Sequence, residues 1–202
     1  MDIAIIVFEG FDELDVIGPF EVLENAREAG ADLAVTLCSV DDASTVTASH
    51  GLRIGVDARL EDCDPDVVLV PGGQWGAKGT TGAWAEAERG VIPEAVAAMY
   101  DEGATMLGVC TGSMLLSRAH VTDGRPAITH SGAIDDLEDS GADVVDARVV
   151  DDGDLVTSGG VTAGIDLAFH FVRREFGDDI ADRVADRMEY EPRGEVYRPG
   201  VQ

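Results

Sequence analysis

Thr105-Met106-Leu107-Gly108-Val109-Cys110-Thr111-Gly112-Ser113 is the stretch on which the fold turns. Thr105 to Val109 is a short, mostly apolar run, expected as a buried strand of a parallel sheet. A helical pattern starts just beyond Cys110. The junction is a G-x-C-x-G sequence at a strand-to-helix handover. With serine in the middle the same pattern is a nucleophile elbow, whose small flanking residues permit a cramped turn that lifts the nucleophile above the sheet. A helix beginning at Thr111 would point free N–H groups and the positive end of its dipole at the sulfur. Cys110 is therefore expected to be a reactive nucleophile with a thiol pKa below the usual ~8.5. A buried, inert thiol is the ordinary fate of a free cysteine. That is the reading given to Cys38 and Cys63.

Outward from the elbow, strands and helices alternate. Ile3 to Phe8, Leu33 to Val40 and Asp66 to Val70 read as strands, the last ended by Pro71-Gly72-Gly73. Pro19 fits the first turn of a helix running to about Ala29. Thr45 to Leu60 is turn-rich, with short strands expected. A helix is expected from about Trp84 to Glu102, strands at Asp143 to Val150 and Leu155 to Thr157, and helices at Thr162 to Phe176 and Asp178 to Met188. This alternation predicts an α/β fold: a parallel-sheet three-layer α/β/α sandwich, flavodoxin-like, with a nucleophile elbow. Residues 1–191 are expected to form a single α/β domain, and 192–202 an irregular C-terminal tail.

Composition bounds the partners. Asp and Glu number 40 against 14 Lys and Arg, a net charge of −26, and Lys78 is the only lysine. The acids are dispersed over many loops, as Asp41-Asp42, Asp135-Asp136, Asp151-Asp152 and Asp178-Asp179. Dispersed acid with lysine avoided suggests a halophilic surface, hydrated in concentrated salt, whereas one acidic block would suggest an interaction tail. So negative a surface argues against nucleic acid. No apolar run of ~18 residues or secretory leader is seen, so no membrane is expected as partner. Cys38, Cys63 and Cys110 form an odd, well-spaced set without a C-x-x-C pair, which suits neither a disulfide framework nor a zinc site. A reducing, cytoplasmic location is expected.

In open parallel sheets, sites form at the carboxyl ends of the strands. Gly72 and Gly73 end one strand, and their N–H groups are candidates for half of an oxyanion hole. Asp15 follows the first strand and is expected on a loop, among the apolar neighbours Leu14, Val16 and Ile17. A carboxyl in apolar surroundings beside a thiolate should have a raised pKa and carry protons near neutrality. Equally, Asp15 fits as the cap of the helix that Pro19 begins.

The segments Phe8-Glu9-Gly10-Phe11, Leu14-Asp15-Val16-Ile17-Gly18-Pro19, Val70-Pro71-Gly72-Gly73, Gly108 to Ser113, Thr129-His130 and Gly159 to Asp166 occur in order along most of the chain. As a set they resemble the ThiJ/PfpI superfamily, which has the class I glutamine amidotransferase-like fold. The nearest resemblance is to its isonitrile hydratase branch, which pairs the cysteine with an Asp in L-D-x-x-G-P, follows it with Thr, and carries G-G-x-T-A-G-I-D.

The resemblance implies that Cys110 attacks an isonitrile carbon to give a thioimidate. Asp15 would then supply a proton and help water in, releasing an N-substituted formamide. Thr111, Gly72 and Gly73 would hold the polar atoms, with His130 close by as a hydrogen-bonding residue. It further implies a small-molecule substrate, no cofactor, no metal, and a homodimer. Other chemistries of the superfamily stay open: glyoxalase- or deglycase-like, amidase, or a redox-sensing stress protein. Thr111 stands where protease-like members have His, and His170-Phe171-Val172 lacks the acid of an amidotransferase His-x-Glu. Ser131 and Gly132 follow His130 where many hydratase relatives carry Trp, which bears on pocket shape. The helix-turn-helix domain of related regulators is not expected in these 202 residues.

Overall fold

Ile3 to Ile6, Val67 to Val70 and Met106 to Val109 are buried at every position, odd and even alike. A strand without a solvent face needs cover on both sides, which helices supply. Each large aliphatic side chain so enclosed contributes about 1.5–3 kcal/mol. The computed structural model describes residues 1–200; the last two residues of the tail, Val201 and Gln202, lie outside the described residues.

In chain order the strands are β1 (Asp2–Ile6), β2 (Ala34–Ser39), β3 (Thr45–Thr47), β4 (Arg53–Gly55), β5 (Ala58–Arg59), β6 (Val67–Val70), β7 (Thr105–Val109), β8 (Pro126–Ala127), β9 (Asp143–Val144), β10 (Val149–Asp151), β11 (Leu155–Ser158) and β12 (Val196–Tyr197). The helices are α1 (Glu13–Glu28), α2 (Ala83–Arg89), α3 (Val91–Asp101), α4 (Gly112–Arg118), α5 (Ile134–Asp139), α6 (Ala163–Phe176) and α7 (Asp178–Met188). The main sheet has the order β12-β10-β11-β7-β6-β1-β2-β5 and is parallel except where β10 meets β11. Helices α1, α6 and α7 pack together as one layer, and α2, α3 and α4 as another. This is the expected three-layer flavodoxin-like sandwich. Strand order reverses between β1 and β6, and a crevice at such a switch point is where these sheets hold ligands.

Four expectations need correction. Helix α1 starts at Glu13, because Asp12 caps it by accepting the Leu14 N–H at 3.2 Å, and Pro19 lies inside it. The helix expected over 84–102 is two helices, broken where Gly90 adopts φ 81°. The strand expected over 143–150 is β9, paired with β8 in a small separate sheet, and then β10 in the main one.

The tail also differs from expectation. Between Pro192 and Pro199, Val196 and Tyr197 pair with β10 as a parallel edge strand, and the Arg193 N–H reaches Asp166 Oδ1 at 2.7 Å. Asp151 anchors the end of the tail: its carboxylate meets Arg198 at 2.9 Å, Arg174 at 2.9 Å and His170 at 2.7 Å. Burial opposes its charge, but the His170 and Gly153 hydrogen bonds and the Arg174 charge outweigh burial and hold its pKa below the usual value. Stability from this carboxylate is thus present above pH 3.8 and is lost as pH falls through the lower folded value. Asp151→Asn is expected to cost about 2 kcal/mol, less than a fully buried pair because Arg198 is 40 % exposed. Amide exchange at 196–198 should accelerate in that variant, while β7 stays protected.

Candidate active site

Thr105 to Val109 ends in an elbow because three backbone constraints meet at Cys110. Its N–H donates to the Gly159 carbonyl at 3.2 Å, and its carbonyl accepts the Thr129 hydroxyl at 2.9 Å. Between them the residue adopts φ 57°, a left-handed conformation costing roughly 1–2 kcal/mol outside glycine. The following turn is equally confined. A Cβ on Gly112 would lie 1.9 Å from the Val70 carbonyl oxygen, so only glycine lets α4 start against the end of β6. Gly112→Ala is therefore expected to destabilise the protein by roughly 3 kcal/mol through forced backbone displacement. Chemical denaturation checks it, and an unchanged midpoint would show that the elbow yields at little cost.

The sulfur is not exposed. Cys110 is only 4 % accessible, and its thiol is pushed up to about 12. Burial is the main cause, followed by the Asp15 charge; the Val161 and Thr111 amides oppose them without prevailing. The expected lowering by a helix N-terminus is thus overturned: α4 is seven residues long, and desolvation of the anion outweighs its few aligned amides. The resting group is a thiol.

Asp15 lies in the first turn of α1, not in a loop, and is not the helix cap. Pro19 cannot donate to the Asp15 carbonyl, so this turn of the helix is loosened. The side chain is fully buried beside Cys110. Its Oδ2 accepts the Gly72 N–H at 2.9 Å, while its Oδ1 has no hydrogen-bond partner among the described residues. Burial and then the Asp12 charge raise its pKa to about 8, against lowering by the Gly72 and Cys110 contacts. No hydrogen bond of ordinary geometry yet joins thiol and carboxyl. The raised pKa expected from the apolar surroundings is found, in a group that holds its proton at neutrality.

Gly72 and Gly73 serve differently from expectation. With the Gly72 amide on Asp15, the Gly73 N–H donates to Thr111 Oγ1 at 3.0 Å. Neither amide is a free oxyanion donor; together they position the carboxyl and Thr111. The amides that face the sulfur belong to Val161 and Thr111. Val161 escaped the sequence reading. It sits at φ 41°, a strained value for a β-branched residue, just after Gly159-Gly160 at the end of β11. A glycine pair ending a strand, as at Gly72-Gly73, was the available signal.

His130 lines a surface depression of about 440 Å³ with Ile128, Ile134, Gly160 and Val161. Its Nδ1 accepts the Gly132 N–H at 3.0 Å, which places the ring proton on Nε2. The ring packs so closely on Gly160 that a Cβ there would lie 2.4 Å from Cδ2. His130 thus shares this depression with Val161, whose amide faces the thiol.

Residues 1–174 match the model of the DJ-1/PfpI family. The chain belongs to that family. It is 35 % identical over 196 residues to the isonitrile hydratase of Pseudomonas putida, spanning 95 % of this chain and 79 % of that protein. It is 29 % identical over 161 residues to a deglycase of Pyrococcus abyssi, spanning 78 % of this chain and 89 % of the relative. Among solved structures, a ThiJ/PfpI family protein from Pseudomonas syringae superposes with a TM-score of 0.81 at 27 % identity, covering 95 % of this chain and 76 % of that one. Schizosaccharomyces pombe DJ-1 shares the fold, with a TM-score of 0.79 at 16 % identity over 95 % of this chain and all of that one. The fold and superfamily read from the ordered motifs are thus found.

Proposed function

We propose that this DJ-1/PfpI protein is a Cys110-dependent hydratase of isonitriles. One observation carries the reading: a neutral, buried Asp15 with an unpartnered Oδ1 stands beside a thiol that is itself protonated at rest. Two protonated groups cannot act as thiolate and base, but they suit addition of S–H across a carbon that must gain both a nucleophile and a proton. The terminal carbon of an isonitrile is such an atom.

In the first step Cys110 Sγ bonds to that carbon. Asp15 Oδ1 delivers its proton there and regains one from the thiol, leaving a thioimidate and an unchanged carboxyl. In the second step water adds to the thioimidate carbon. Asp15 passes the water proton to the imine nitrogen, and collapse of the adduct expels Cys110 as thiol with an N-substituted formamide. The Thr111 and Val161 amides stabilise the sulfur as charge develops on it, and the water balance closes at one per turnover. Thr111 is held for this by Gly73, and Asp15 by Gly72.

The 35 % identity to the Pseudomonas putida isonitrile hydratase supports the substrate class. The test is loss of the isonitrile infrared band with matching formamide by mass spectrometry, in molar salt, over alkyl and aryl isonitriles. A parallel arm follows methylglyoxal. Turnover of methylglyoxal with none of any isonitrile would overturn the reading.

A further inference from the structure

Cys38 and Cys63 stand 25 residues apart and read from sequence as unrelated core thiols, yet their sulfurs lie 3.4 Å apart. That is direct contact, well beyond the ~2.05 Å of a bond. Cys38 is the penultimate residue of β2 and is fully buried, and Cys63 follows the turn after β5 and is half-buried. Cys63 lines a depression of about 300 Å³ with Asp2, Ile3, Ala4, Thr36, Asp64 and Pro65. One thiol of the pair is therefore reachable from solvent, and the other waits directly behind it. Neither belongs to the Cys110 site.

We propose that Cys38 and Cys63 are a redox pair that closes to an intramolecular disulfide under hydroperoxide. In the first step Cys63 Sγ takes one peroxide oxygen, giving a sulfenic acid and releasing water. In the second, Cys38 Sγ attacks that sulfur, hydroxide leaves from it, and the Cys38 proton converts it to a second water. Two thiols are oxidised, one peroxide is reduced, and two waters form. The oxidant is a small, neutral one, because Asp2 and Asp64 at the mouth repel anionic disulfides. Burial and contact with Cys63 push the Cys38 thiol up to about 12, which disfavours it as the thiol that meets peroxide first.

The cross-link would close a loop that carries β3 and β4. This loop grips the start of α1: Thr47 accepts the Gly10 N–H at 2.8 Å, Ser49 donates to the Phe11 carbonyl at 2.8 Å, and the His50 N–H reaches Glu13 Oε1 at 2.7 Å. Oxidation thus tightens the segment that holds the first turn of α1, where Asp15 lies.

The test treats the native protein with hydrogen peroxide, removes the peroxide, unfolds the protein in urea while blocking remaining thiols with iodoacetamide, and digests with trypsin without reduction. The expected product joins residues 28–53 to residues 60–78 with two hydrogens lost. The oxidised protein should melt roughly 5–10 °C higher, and dithiothreitol should reverse this. Cys63→Ser should leave Cys38 fully alkylated after the same treatment. Recovery of both cysteines as alkylated thiols from wild type, or of Cys63 as sulfinate beside an unreacted Cys38, would overturn the proposal.

Discussion

Cys110→Ala is expected to lower formamide production from an isonitrile by at least about 10⁴-fold, some 5.5 kcal/mol of barrier. Cys110→Ser should recover little, because a serine hydroxyl is far less acidic than the thiol and no base of the necessary strength faces it. The strongest neighbouring group is Asp15, already protonated near neutrality. Neither substitution should unfold the protein. Ala and Ser both fill a smaller version of the same site, and the φ of 57° is held by Gly159 and Thr129 through the backbone, not the side chain. A melting temperature within a few degrees of wild type would show that the loss is chemical. Retained turnover in Cys110→Ala would remove the nucleophile from the mechanism and leave only the fold.

Much of this was legible in the sequence because it depends on local chemistry. Val67 to Val70 can only be a strand with two covered faces, and a G-x-C-x-G after a second such strand leaves few other backbones than an elbow. Three-dimensional proximity was less legible. The pKa of Cys110 depends on how completely the fold buries its sulfur and on the Asp15 charge beside it, and no periodicity encodes either. Asp15 was placed beside the thiol correctly but on the wrong element, because Pro19 signals a helix start more loudly than Asp12 does. The Gly72 and Gly73 amides looked free because their partners, Asp15 and Thr111, come from other segments. Cys38 and Cys63 failed for the same reason: spacing along the chain says nothing of two sulfurs brought into contact by β2 and the turn after β5.

Asp15→Asn separates the proton carrier from the scaffold. Asparagine keeps the size of the side chain, and its carbonyl oxygen can still accept the Gly72 N–H, yet it holds neither the mobile proton nor the charge. Turnover should fall about 10²–10⁴-fold. Two further readouts are independent of turnover. The Asp15 charge is one cause of the raised Cys110 thiol, so its removal should lower the pH midpoint of Cys110 alkylation by iodoacetamide. Stability should respond as well. The folded carboxyl has a pKa of about 8 against an ordinary 3.8, so its contribution is fully present below 3.8 and is lost as pH rises through 8, where the buried anion forms. At ~1.4 kcal/mol per pH unit the loss amounts to a few kcal/mol across that window. Asp15→Asn carries no such penalty and should gain on wild type in thermal stability as pH rises from 5 to about 8.5. An unchanged alkylation midpoint, with the same pH slope of stability in both proteins, would mean that Asp15 neither shares a proton with Cys110 nor senses its charge, and the thiol would then need another acid.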